Sequence, residues 1–226
     1  MFKVIEIFDS IEGEGKRQGL PATFIRLAGC NLRCIWCDTT HSHTNVVFTE
    51  MTASDILAKV NLKRVTITGG EPLEHDNLEE LVQLLLDKGY EINIETNGSK
   101  NIHGFKVHRR LFFSIDYKLD SSGMSDKMYK FNFMDCSSNN AVKFVVASES
   151  DISQMIEVVQ TLKDNGFQRK KELLECYVDE PFPLPHLYAC ATGDFDAKKL
   201  VDAVVKNPIL HNVKVYTQLH KNLDVR

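Results

Sequence analysis

The sequence predicts an α/β fold, a partial, open (β/α)6-type barrel whose strands run mainly parallel. Three observations lead there. Six short apolar or β-branched runs recur along the 226 residues, amphipathic helical stretches separate several of them, and the polar motifs collect where the runs end. Strands alternating with helices pair in parallel through right-handed crossovers. Six repeats are too few to close an eight-stranded barrel, and in such folds the loops after the strands form the active face.

Phe2 to Phe8 alternates loosely and reads as an edge strand, broken by Glu12-Gly13-Glu14-Gly15. The six central runs are Thr23 to Ala28, Arg64 to Thr68, Glu91 to Glu95, Leu111 to Asp116, Ala141 to Ala147 and Leu173 to Val178, the pattern of strands buried on both faces. Met51 to Val60 reads as a helix, with Thr52 placed three residues before Asp55 as an N-cap. Asp76 to Lys88 sets Leu78, Leu81, Val82 and Leu85 on one face, with Gly89 as its C-cap. Asp151 to Lys163 repeats the pattern with Ile152, Met155, Ile156 and Val159, and Asp194 to Lys206 with Ala197, Leu200, Val201, Val204 and Val205. The stretch Glu180-Pro181-Phe182-Pro183-Leu184-Pro185 reads as a rigid connection that ends the barrel, because proline presets φ and supplies no donor. The expected organisation is one domain over residues 1–226, with a ligand loop at 29–40 and a tail at 207–226 packing near the mouth.

With 43% hydrophobic and 26% charged residues, the chain can bury one good core. A net charge of −4 argues against a broad phosphate-binding face, so no nucleic-acid partner is expected. There is no long uninterrupted apolar run and no leader pattern, so the reading is a cytoplasmic protein without a membrane partner. In that setting six cysteines point to metal or catalytic chemistry rather than disulfides. Cys136, Cys176 and Cys190 are scattered and read as small buried apolar residues.

The other three cysteines carry the chemistry. Cys30, Cys34 and Cys37 form a CxxxCxxC loop after a strand that ends in Gly29. A four-iron cubane held by three thiolates keeps one iron without a protein ligand. S-adenosylmethionine can chelate such an iron through its amino and carboxylate groups, and one electron then breaks the sulfonium bond. The same residues leave two other readings open: a Cys3His zinc site completed by His41 or His43, and three unliganded buried thiols.

Together with Thr68-Gly69-Gly70-Glu71-Pro72 after the next strand, this loop resembles the radical S-adenosylmethionine superfamily. Within it, Ser10-Ile11-Glu12-Gly13-Glu14-Gly15 ahead of Ala22 to Cys30, the triplet Cys37-Asp38-Thr39 and the late Gln218-Leu219-His220-Lys221 are similar to the 7-carboxy-7-deazaguanine synthase family. The resemblance implies a [4Fe-4S] cluster on Cys30, Cys34 and Cys37, S-adenosyl-L-methionine, and a Mg2+ ion on Thr39. It implies cofactor contacts from Trp36, Cys37, Asp38, Gly69, Gly70, Glu71, Asn97, Asp116, Tyr117 and Lys118. For the substrate it implies a wall of Ile11, Glu12, Gly13 and Glu14, with Arg26, Thr68, His220 and the carboxyl group of Arg226.

The reaction implied is a radical ring contraction of 6-carboxy-5,6,7,8-tetrahydropterin to 7-carboxy-7-deazaguanine with loss of ammonia. An external one-electron reductant such as flavodoxin or ferredoxin and a homodimer come with it. Arg26 suits a substrate carboxylate because guanidinium matches it bidentately; its competing reading is a structural ion pair. Gln is usual where Glu12 stands, so the hydrogen-bond register changes there. Two rivals remain: a radical enzyme that activates a partner protein as a glycyl radical, and the zinc-binding module.

Overall fold

The computed structural model describes residues 1–43, 46–134, 136–173, 184–192 and 194–225. The strands among them are β1 (Phe2–Ile11), β2 (Pro21–Leu27), β3 (Thr49–Met51), β4 (Arg64–Gly69), β5 (Glu91–Thr96), β6 (Leu111–Tyr117), β7 (Ala141–Val146), β8 (His186–Ala191) and β9 (Val213–Val215). The helices are α1 (Ala53–Leu57), α2 (Leu78–Asp87), α3 (Phe131–Met134), α4 (Glu149–Leu173), α5 (Ala197–Lys206) and α6 (Leu219–Asn222). One unclosed sheet runs β3-β1-β2-β4-β5-β6-β7-β8-β9. From β2 through β9 every neighbouring pair is parallel, while β1 lies antiparallel between β2 and β3.

Residues between the strands fold as their spacing predicts. Thr52 caps α1 in a reciprocal capping box with Asp55. Leu78, Leu81, Val82 and Leu85 of α2 are buried, and Gly89 follows in the left-handed region at φ +85°. The core lies between helices and sheet, where Ile25, Ile67, Ile94, Ile115 and Phe144 on successive strands are fully buried. The opposite face of the sheet is polar and carries Thr66, Thr68, Asn93, Glu95, Ser114, Asp116 and Lys143.

Four expectations need correction. β1 is interior, because the three residues of β3 pair along its outer side. The run Leu173 to Val178 is not a strand at its start: Leu173 closes α4, and residues 174–178 lie outside the described residues. The sixth central strand is instead His186–Ala191, so the proline stretch, of which only Leu184 and Pro185 are described, leads into the sheet rather than ending it. On α5 only Leu200 is buried, while Val201 and Val205 are exposed, so the buried stripe turns toward Ala203 and Val204. Among the described residues no helix is long and apolar enough to cross a membrane.

Candidate active site

A cavity of about 560 Å³ opens at the C-terminal ends of the strands. That volume falls within the ordinary range of ligand pockets. Cys30, Cys34 and Cys37 all line it, together with Trp36, Asp38, Thr39, Gly69, Gly70, Asn97, Asp116 and Lys118.

The cysteine loop is shaped by its own backbone. Leu32 is buried in the core, the Arg33 guanidinium donates to the carbonyls of Cys30 and Leu32, and Gly29 N–H donates to Ser42 O at 2.8 Å. Gly70 answers a steric demand of this loop: a Cβ there would lie 2.0 Å from Gly29 O and 2.7 Å from Cys30 Cβ. Gly69, at φ +140°, would meet Leu27 O at 2.1 Å. The two glycines therefore let the loop lie on the end of β4 before any ligand is considered.

The three thiols are free, and burial pushes those of Cys30 and Cys34 up. Asn97 Nδ2 lies 3.8 Å from Cys30 Sγ, and His43 Nε2 lies 3.3 Å from Cys37 Sγ. Among the described residues no three His, Cys, Asp or Glu side chains converge to hold a single metal ion. The alternative Cys3His zinc set is therefore not assembled among the described residues. Three thiols that face one cavity without meeting at a point suit a polynuclear cluster, whose cysteines sit on separate irons.

Glu71 has another place than expected. It is fully buried and does not line the cavity; its carboxylate accepts from Leu73 N at 3.0 Å, Thr96 Oγ1 at 2.8 Å and Asn97 N at 2.7 Å. Burial raises it to about 7 despite these donors. Tyr117 also departs from expectation. On a strand neighbouring side chains take opposite faces, so Asp116 and Lys118 line the cavity while the Tyr117 ring packs against Phe133 and Phe144 in the core.

Asp116 and Lys118 pair at 2.9 Å. Burial alone would raise Asp116, but Lys118 and Lys143 bring it down to about 2. Lys118 Nζ stands 5.4 Å over the Trp36 ring, and Trp36 Nε1 donates to Ser121 Oγ at 3.4 Å. Ser121 is held in turn by Asp151 in the first turn of α4. The cofactor-side residues are thus fixed from three elements.

Of the first-loop wall, only Glu14 lines the cavity. Burial raises its carboxyl, but Lys143 and Gln218 together outweigh this and the net shift is downward. Ile11 ends β1 opposite Pro21, and Glu12 is buried below the cavity, accepting from Thr66 Oγ1. Burial and the neighbouring Glu95 raise Glu12 to about 7. Gly13 is covered by His220, since a Cβ there would fall 1.8 Å from the imidazole Nδ1. Gln218 and Lys221 reach the cavity, with Lys221 Nζ 2.8 Å from Asp38 Oδ2. Arg226 lies outside the described residues.

Thr68 lines the cavity and donates to Glu95 Oε2 at 3.0 Å. Arg26 stands opposite Thr68 on the same face but outside the cavity lining, donating from Nε to Glu6 Oε1 at 2.8 Å. Thr39 lines the cavity and its hydroxyl donates to Asp38 Oδ1 at 2.8 Å. Other residues line the cavity without a motif to mark them, among them Ser42, Thr192, Asp194 and Lys143. Cys190 is buried, as its isolation in the sequence implies, and also borders the cavity, while a lysine inside the run Ala141 to Val146 is the same kind of signal as Arg26 on its strand.

Residues 24–174 match the model of the Radical SAM superfamily. A 7-carboxy-7-deazaguanine synthase of Clostridium acetobutylicum is 35% identical, over 97% of this chain and 95% of the relative. One from Thermoplasma acidophilum is 30% identical over 96% and 95%. The crystal structure of QueE from Escherichia coli superposes with a TM-score of 0.69 at 23% identity, covering 97% of this chain and 94% of that one, which shows the shared fold.

Proposed function

This chain belongs to the radical SAM superfamily and, within it, to the 7-carboxy-7-deazaguanine synthase family, and we propose that it contracts the ring of 6-carboxy-5,6,7,8-tetrahydropterin to 7-carboxy-7-deazaguanine with loss of ammonia, in 7-deazapurine and queuosine biosynthesis. The observation that carries this reading is one cavity lined both by Cys30, Cys34 and Cys37 and by Glu14 of the first loop. The cluster and S-adenosylmethionine, when bound, would supply one-electron radical chemistry.

The chain's own residues bind and orient. Cys30, Cys34 and Cys37 hold the cluster, and Arg33 and Gly70 keep their loop seated. Asp116, anionic at neutral pH, accepts ribose hydroxyls, while Lys118 offers a cation to the cofactor carboxylate and Trp36 a flat surface to its adenine. Gly69, Gly70, Asp38 and Asn97 complete the cofactor side with main-chain and amide groups.

Glu14, held anionic, accepts from the N–H groups of the aminopyrimidinone edge. Arg26, which pairs through Nε with Glu6 outside the cavity lining, is assigned to the substrate carboxylate by the family likeness, since guanidinium matches a carboxylate bidentately. Thr39, with Asp38 beside it, would offer Mg2+ a hard oxygen ligand. His220 over Gly13 closes the substrate side. Such placement, rather than acid or base chemistry by a side chain, is the protein's contribution to rate.

The proposal extends to a cytoplasmic homodimer reduced by a flavodoxin- or ferredoxin-type carrier, as in the family resemblance. Anaerobic reconstitution with iron and sulfide, followed by incubation with S-adenosylmethionine, reductant, Mg2+ and the pterin, tests the activity by mass spectrometry. Formation of 7-carboxy-7-deazaguanine is expected. Cleavage of S-adenosylmethionine with the pterin returned unchanged would leave a radical enzyme acting on some other substrate.

A further inference from the structure

At the floor of the cavity one ammonium group joins carboxylates from its two sides. Lys143 of β7 is 4% exposed; its Nζ lies 2.9 Å from Glu14 Oε2, 3.2 Å from Asp116 Oδ1 and 4.0 Å from Glu95 Oε1. Glu14 also accepts from Tyr216 OH at 3.1 Å and Gln218 Nε2 at 2.5 Å. Asp116 accepts from Lys118 on its second oxygen. The contacts therefore run unbroken from Gln218 through Glu14, Lys143, Asp116 and Lys118 to Trp36, crossing from the late segment to the cysteine loop.

A lysine buried this deeply loses its hydration and is unfavourable unless it is paired. Pairing with two carboxylates at once does more than offset that cost. Two half-buried carboxylates facing one another would drive a proton onto one of them, and a protonated or rotated Glu14 or Asp116 no longer presents a fixed acceptor. The ammonium removes that repulsion: it donates to Glu14 Oε2 and stands 3.2 Å from Asp116 Oδ1, a buried oxygen without a hydrogen bond, so it orients Glu14 by a directed bond and holds Asp116 by charge. No other cation among the described residues bridges the two.

We propose that Lys143 is a positioning residue that registers the pterin and S-adenosylmethionine against each other, by fixing Glu14 on the substrate side and Asp116 on the cofactor side to a single ammonium. The inference rests on the reading that Glu14 meets the pterin and Asp116 the cofactor. Binding of one molecule then stiffens the acceptor for the other, and the effect is reciprocal, as linkage requires.

The test uses the reconstituted holoenzyme and calorimetric titration of S-adenosylmethionine with and without 6-carboxy-tetrahydropterin, beside steady-state kinetics. In the wild type each ligand tightens the other by about fivefold or more. Lys143→Met abolishes this mutual effect and raises both KM values by about tenfold or more, as expected for a lost charge-assisted hydrogen bond to Glu14 and a lost ion pair with Asp116. Lys143→Arg, which keeps the charge and two arms, restores the mutual effect.

Unchanged affinities and an intact mutual effect in Lys143→Met overturn the proposal, as does the lack of any mutual effect in the wild type. Should Lys143→Met fail to fold, Glu14→Gln releases one arm alone. Its loss of the pterin's effect on S-adenosylmethionine affinity supports the bridge, and retention overturns it. If the wild type cleaves S-adenosylmethionine but leaves the pterin unchanged, the substrate reading fails by itself. Lys143 is then judged on cofactor affinity, which Lys143→Met must still weaken through Asp116.

Discussion

The Glu71 carboxylate accepts the backbone N–H of Asn97 at 2.7 Å, tying the turn after β4 to the turn after β5 beneath the cysteine loop. Asn97 in turn reaches Cys30 Sγ and Asn31 Oδ1. A carboxylate expected at the cofactor thus works one layer below it. Glu71→Ala leaves three donors unpaired, each costing about 1–3 kcal/mol where water does not replace it. Urea denaturation will show a loss of at least that size, and calorimetry a weaker affinity for S-adenosylmethionine. An unchanged denaturation midpoint would refute the role.

Glu12 and Glu71 both stand at about 7, raised from 4.5 chiefly by burial. Between those values the folded state binds more protons than the unfolded state, so stability falls as pH rises from 4.5 through 7. Each group contributes a drop of about 3 kcal/mol at most, from 1.36 kcal/mol per pH unit. Thermal melts of the apoprotein between pH 5 and 8 should show Tm falling, with a shallower fall in Glu12→Gln. A Tm that climbs over this window would contradict the assignment.

Gly70→Ala puts a methyl group into Gly29 O and the Cys30 side chain, and neither backbone can yield freely. Overpacking of this kind costs about 1–3 kcal/mol. The expected result is poor incorporation of iron and sulfide at nearly native secondary structure, read by metal analysis and circular dichroism. Gly13→Ala collides with His220 instead, so it should spare the cluster and raise KM for the pterin.

Thr39 lines the cavity beside Asp38, whereas its neighbour Thr40 is exposed. Thr39→Ala should lose stimulation of turnover by Mg2+, and Thr40→Ala should keep it. Turnover rates with and without the ion, at saturating S-adenosylmethionine, decide between them. Equal responses in the two variants would remove the ion from Thr39.

The sequence showed β2 and β4 through β7 within a residue or two, because each is an apolar run bounded by turn residues. It did not show β8, since His186-Leu187-Tyr188-Ala189-Cys190-Ala191 mixes polar and small residues behind three prolines. β9 has only three residues and carries no period at all. The cysteine loop was legible because ligand spacing is local. Glu71 and Tyr117 were not, because strand phase and burial depend on partners far along the chain. Lys143 was hidden by its apolar neighbours Val142 and Phe144, which mark the strand but not the face its side chain takes.

Gln218 and Glu14 touch across a separation of 204 residues, and Leu219 N–H donates to Gly13 O. On the ribosome, the three sulfur ligands emerge long before this closure can form. A nascent chain can therefore gather its inorganic centre while the organic substrate's enclosure is still unfinished, which separates maturation of the two halves in time.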